Sequence, residues 1–189
     1  MVSILGLIFI DGLNGGIQVS TIIHLITDVS DKNNDLFAGI AIMVSGVGSL
    51  AGGYAGGKLC DRFKPKKVAL AGVLLYASCC MTFIGASFLK WYPLTLAVFF
   101  YYGFQASYIG GCEMVICSQN FKGVPQSFAI VKQFLCISFI LYEMVALLTD
   151  NSIPLQYLMI GSAIFSLPAW VGLLKLPVEQ QKESLMESD

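Results

Sequence analysis

Charge is scarce in this chain. Of its 189 residues only 12% are Asp, Glu, Lys or Arg, where a soluble domain carries about 25%. So few polar side chains cannot cover a core of this size with a wettable surface, which excludes an ordinary soluble domain. Histidine is almost missing: His24 stands alone near the outer end of the first apolar run. It reads as an interfacial hydrogen-bonding side chain. No Ser/His/Asp or Cys/His arrangement can be built around it, so no enzyme is expected. Metal-ligand spacing is also lacking. Cys79, Cys80, Cys112, Cys117 and Cys136 lie inside apolar runs and read as small buried hydrophobes, while Cys60 falls in a basic stretch. The acidic loop DVSDKNND, with Asp28, Asp31 and Asp35, has neither the spacing nor the glycine of a calcium loop, and Asp35 reads as a helix cap. No catalytic, cofactor or metal residue is assigned and no nucleic-acid partner is expected; the net charge of −1 does not bear on that point, and the distribution of charge says more than its sum.

What is present is apolar: 56% of the residues are hydrophobic. A membrane helix needs about 20 mostly apolar residues, and the chain parses into six such runs, near 3–27, 36–57, 68–89, 93–117, 125–149 and 154–176. The opening MVSILGLIFI lacks a basic start, and Asp11 and Asn14 follow where a cleavage site would stand, so it reads as a first membrane helix rather than a signal peptide. The expectation is an all-α polytopic membrane protein whose first partner is the lipid bilayer. Residues 1–176 form one six-helix domain and 177–189 a polar tail. Pro93, Pro125 and Pro154 stand at helix starts, where a missing N–H does no harm, and the short connections imply antiparallel neighbours.

Positive charge gathers in one place. GGKLCDRFKPKK, residues 56–67, puts five of the eleven basic residues into ten positions. Cytoplasmic loops carry an excess of Lys and Arg. In the six-helix parse Lys58, Arg62, Lys64, Lys66, Lys67, Lys122, Lys175 and Lys182 share a side, against Lys32 and Lys90 on the other. Both termini therefore belong on the cytoplasmic-equivalent side. The run before this loop is rich in small residues: Gly39, Gly46, Gly53 and Gly57 recur at helical spacing, as do Ala41, Ser45 and Ser49. Small residues let membrane helices approach closely.

Polar groups inside the apolar runs are costly and mark candidate sites. Asp11, Asn14 and Gln18 share a face of the first helix. Tyr101, Gln105, Tyr108 and Cys112 form a stripe on the fourth, with Glu113 to its side, and Lys132 and Glu143 lie on the fifth. Asp11, Asn14, Gln18, Gln105 and Glu143 are the candidate path-lining residues. Glu113 and Lys132 sit at similar depth on consecutive helices, and a Glu113–Lys132 ion pair would lower the cost of burying either charge. Snorkelling of Lys132 to the interface is the alternative.

Gly57, Leu59, Asp61, Arg62, Phe63, Lys66 and Lys67 follow the order G-x-L-x-D-R-F-x-x-K-K. This resembles the loop between the second and third helices of each six-helix half in the major facilitator superfamily. Lys64 and Pro65 stand where that family has Gly and Arg. The resemblance implies half of a major facilitator fold, built from two inverted three-helix repeats. It also implies a conformational latch formed by Gly57, Asp61, Arg62, Lys66 and Lys67, in which the Asp lies against a helix N-terminus. IDGLNGGIQ, YYGFQASYIGG and GVPQSFAIVKQF look like the C-terminal half of the ion channel regulatory protein family of the uncoordinated (UNC) type. Such halves enclose a solute path only in pairs. Two functions follow: solute translocation with a second six-helix half, as homodimer or heteromer, or a non-transporting accessory, regulatory or structural subunit of a larger membrane complex.

Overall fold

The computed structural model describes residues 6–13, 15–16, 34–120, 125–148 and 155–175. Every described residue is helical except Phe63, Lys64, Lys90 and Trp91. Residues 6–13 and 15–16 belong to α1. It is followed by α2 (Asn34–Arg62), α3 (Pro65–Leu89), α4 (Tyr92–Asn120), α5 (Pro125–Leu148) and α6 (Leu155–Lys175). Asn14, Gln18, His24, Asp28, Asp31 and the tail 177–189 lie outside the described residues.

Helix ends follow the chain's breakers. Nothing in KLCDR stops a helix, so α2 continues to Arg62, and the basic stretch expected as a loop shrinks to Phe63 and Lys64. Pro65 then takes the first position of α3, where its missing N–H is free of cost. Lys64 O accepts from Lys67 N at 2.8 Å in the new first turn. Asp35 lies inside the first turn of α2 rather than capping it, where its charge still complements the helix dipole.

The helices do not pack simply in sequence order. The main partner of α2 is α4, not α3, which bridges α4 and α6 instead. The α2–α4 pair keeps a constant register. Gly48 faces Phe100, Gly52 faces Phe104 and Gly56 faces Tyr108, in each case against the backbone carbonyl, and Cys60 Sγ meets Cys112 Sγ at 3.6 Å. Both numbers advance together by four, so the two helices run parallel along one seam. Close backbone approach requires glycine here, because a Cβ at Gly52 would collide with Phe104 O. Ala41 and Ser45 are buried in this helix, and Ser49 Oγ donates to Gly103 O at 3.2 Å. Gly39, Gly46 and Gly57 have open space at their Cβ positions and Gly53 meets only Ser107 Cβ at 3.9 Å; that set lies off the seam, and the four-residue series Gly48, Gly52 and Gly56 carries the contact.

Tyr108 Oη donates to Val68 O (3.2 Å) and Tyr101 Oη to Leu75 O (3.3 Å), which makes α3 antiparallel to α4. Lys66 with Leu174 and Cys80 with Ser162 make α3 antiparallel to α6 as well. α1 lies along α5, with Gly12 against Leu135 and Ser138, Gly15 against Phe139 and Gly16 against Tyr142. Large apolar side chains point outward from several helices: Met43, Val47 and Leu50 on α2, Leu74 and Met81 on α3, Ile140 and Met144 on α5, Ile164 and Leu167 on α6. Water would not tolerate so much exposed apolar surface, whereas lipid does. Among the described residues two helices, Asp35–Arg62 within α2 and Pro65–Leu89, are by length and composition sufficient to cross a membrane.

Candidate functional site

Three ionisable side chains converge from three helices. Asp11 stands on α1, Glu113 on α4 and Lys132 on α5. Asp11 Oδ2 lies 3.7 Å from the point where a Cβ on Gly110 would stand. Glu113 follows Gly110 by three residues and so shares that face of α4. Gly12, next to Asp11, is pressed against Leu135 of α5, one turn on from Lys132. Thus α1 reaches both helices at this level, and α4 and α5 touch each other only sparsely. Lys132 acts electrostatically on both carboxylates, and the carboxylates act on each other. Glu113 is 1% exposed, and its Oε1 has no hydrogen-bond partner among the described residues. Lys132 itself is exposed. Of the three only Glu113 is buried, Asp11 being half-buried and Lys132 exposed, and Asp11 joins the electrostatic neighbourhood of Glu113 where the sequence suggested Lys132 alone.

The remaining path candidates are scattered along the bundle. Gln105 is fully buried in α4, eight residues or about 12 Å before Glu113. Glu143 is half-buried in α5, with Oε1 lacking a hydrogen-bond partner among the described residues. The α4 stripe is not free to line a path: Tyr101 and Tyr108 bond α3, and Cys112 meets Cys60 of α2.

The basic stretch ends up at one end of the bundle. Lys66 Nζ donates to Leu174 O at 2.7 Å, next to the end of α6. A cation there answers the negative end of the helix dipole and an otherwise orphaned carbonyl. Asp61 and Arg62 are exposed, and their side chains bond no other described residue. Gly57 is open to its surroundings. Among the described residues, Lys66 is the latch residue whose side chain hydrogen-bonds another helix, and Lys67 is exposed.

A cluster missed in the sequence sits deeper in the bundle. Tyr76, Cys79 and Cys80 of α3, Tyr102 of α4 and Tyr142 of α5 lie within one another's field, and Cys80 Sγ meets Ser162 Oγ of α6 at 3.7 Å. Single hydroxyls and thiols spread over four helices leave no spacing signal. The described cysteines are all free, and among the described residues no group of three His, Cys, Asp or Glu side chains could hold a metal ion.

The family model of the major facilitator superfamily matches residues 4–188. The chain belongs to the major facilitator superfamily. Its members are transporters set in membranes, so the apolar exterior faces lipid and this chain is a major-facilitator-like integral membrane protein. No curated protein and no solved structure shows a significant match to it.

Proposed function

We propose that this superfamily member translocates a solute as one half of a two-half assembly, closed by a second six-helix half that is a copy of this chain or another chain. The observation that carries the reading is Glu113, buried among apolar helices with Asp11 and Lys132 in its field. Charges this costly are kept in membrane segments where they serve a path or a switch. Asp11, Asn14, Gln18, Gln105 and Glu143 would line the path. Gly57, Asp61, Arg62, Lys66 and Lys67 would form the latch, with the Lys66–Leu174 bond as the part of it already made within this half. The six runs are proposed as six membrane spans. The antiparallel setting of α3 and α6 supports two inverted triplets. Both termini are placed on the cytoplasmic-equivalent side, since Arg62, Lys64, Lys66, Lys67 and Lys175 gather at one end. The narrower likeness to the UNC-type channel-regulatory branch rests on its short motifs alone. That branch carries the second reading, an accessory subunit.

The test is disulfide or bifunctional cross-linking in native membranes, in a Cys136→Ser background because Cys136 is the exposed native thiol. Gly46→Cys, on the open face of α2, should join one further six-helix chain. Gly52→Cys, turned into the α4 seam, should not. Cross-links from Gly46→Cys to several unrelated proteins, or to none, would count against a two-half assembly.

A further inference from the structure

Cys60 of α2 and Cys112 of α4 bring their sulfurs to 3.6 Å at the end of the parallel seam. The glycine register sets this distance. A Cβ on Gly56 would stand 3.3 Å from Tyr108 Cα, and one turn further along the same register Cys60 stands opposite Cys112. Helices this close suit the short Cβ separation that a disulfide needs, about 3.5–4.5 Å, and side-chain rotation brings the sulfurs to a bonded distance of about 2.05 Å. The other cysteines are placed differently. Cys79 and Cys80 follow each other on α3, and Cys80 Sγ meets Ser162 Oγ. Cys117 is buried five residues past Cys112, and Cys136 is exposed on α5; all six thiols are free. Access differs within the pair. Cys60 is 8% exposed and precedes the exposed Asp61 and Arg62 at the end of α2, whereas Cys112 is 0% exposed. The thiolate is the reactive form, so the sulfur at the water boundary meets an oxidant first, and Cys112, in contact behind it, stands as the resolving thiol.

We propose that Cys60 and Cys112 form a reversible redox-modification site, a thiol pair that hydrogen peroxide converts into a disulfide between α2 and α4. The Cys60 sulfur attacks one peroxide oxygen and the O–O bond breaks. Cys60 becomes a sulfenic acid, and the departing hydroxide takes up the Cys60 proton and leaves as water. The Cys112 sulfur then attacks the Cys60 sulfur. The S–O bond breaks, and a second water leaves with the Cys112 proton. Two thiols have lost two electrons, the peroxide has gained them, and the products are one disulfide and two waters. Two molecules of a small thiol reverse the bridge by exchange and leave as their own disulfide. The bridge ties the end of α2 to α4 immediately before Asp61 and Arg62, so it fixes one boundary of the basic stretch covalently. On the cytoplasmic-equivalent side, where that end is proposed to lie, disulfides are transient and redox-sensing, which suits a pair of free thiols held in contact. The chemistry asks nothing of a second half, so its failure and the failure of the two-half reading are separate results.

The experiment titrates hydrogen peroxide against the full chain in native membranes. Remaining thiols are then blocked with light N-ethylmaleimide in denaturant. Oxidised ones are reduced and blocked with the heavy reagent, and the peptides are mapped by mass spectrometry, with an unreduced sample kept for linked peptides. The expected result is heavy label rising in equal amounts on Cys60 and Cys112. A linked peptide lighter than the sum of its parts by two hydrogens should accompany it, and glutathione added before blocking should remove both signals. Cys79, Cys80 and Cys117 should keep the light label. In Cys60→Ser the heavy label on Cys112 should be lost. In Cys112→Ser the sulfenic acid on Cys60, left without its resolving thiol, should be trapped by dimedone. Absence of the linked peptide under excess peroxide, or heavy label on Cys112 undiminished in Cys60→Ser, overturns the proposal. So does a Cys60 bridge that runs only to another chain. The label map and linked peptides of the unaltered chain decide the matter even if a variant fails to fold.

Discussion

Lys90 ends α3 with φ 47° and ψ 38°, its N–H bonding Ala86 O at 3.1 Å. A side chain in this left-handed region costs about 1–2 kcal/mol, and glycine is the usual occupant. Replacing Lys90 by Gly should therefore give a protein about 1 kcal/mol more stable than Lys90→Ala, read as a higher midpoint in a thiol-reactive dye melt. Equal midpoints would remove the strain argument. Charged residues were the most legible feature at this scale. Asp11, Glu113 and Lys132 stand out in any apolar run, and each was singled out from the sequence. Their grouping was less legible. Consecutive helices suggested Glu113 with Lys132, but α1 lies along α5 and brings Asp11 to Gly110, a neighbourhood that only the packing order reveals. Asn14 and Gln18, on the same stripe as Asp11, lie outside the described residues.

The α2–α4 seam is the clearest element-level consequence of composition. GVGSLAGGYAGG holds glycines at both four- and seven-residue spacing, so periodicity alone leaves two faces open. The partner decides between them: Phe100, Phe104 and Tyr108 offer carbonyls in step with Gly48, Gly52 and Gly56. Gly52→Val should force the helices apart and destabilise the half by about 1–3 kcal/mol. Gly39→Val, with open space around it, should leave the thermal midpoint within about 0.5 kcal/mol of the original. Similar losses from both would place the seam elsewhere. The same element shows why the basic stretch is mostly helix rather than loop. Basic residues mark a membrane boundary but do not break a helix, so α2 runs on to Arg62 until Pro65 starts the next one.

As a whole, the molecule is a bundle with an apolar exterior, a buried carboxylate at Glu113 and positive charge gathered at one end. The all-α class and the superfamily were legible because hydrophobic runs and the G-x-L-x-D-R-F-x-x-K-K order survive without structural context. The packing order was not, since α2 pairs with α4 across an intervening helix. The central claim is that the open face of α2 and the buried carboxylate belong to a two-half translocation unit. Native mass spectrometry of the gently solubilised particle tests it most directly. The account predicts this chain paired with one further six-helix half, either a second copy or a different chain. A single copy held among many unrelated subunits would contradict it and make the basic stretch a packing and topology element of a scaffold.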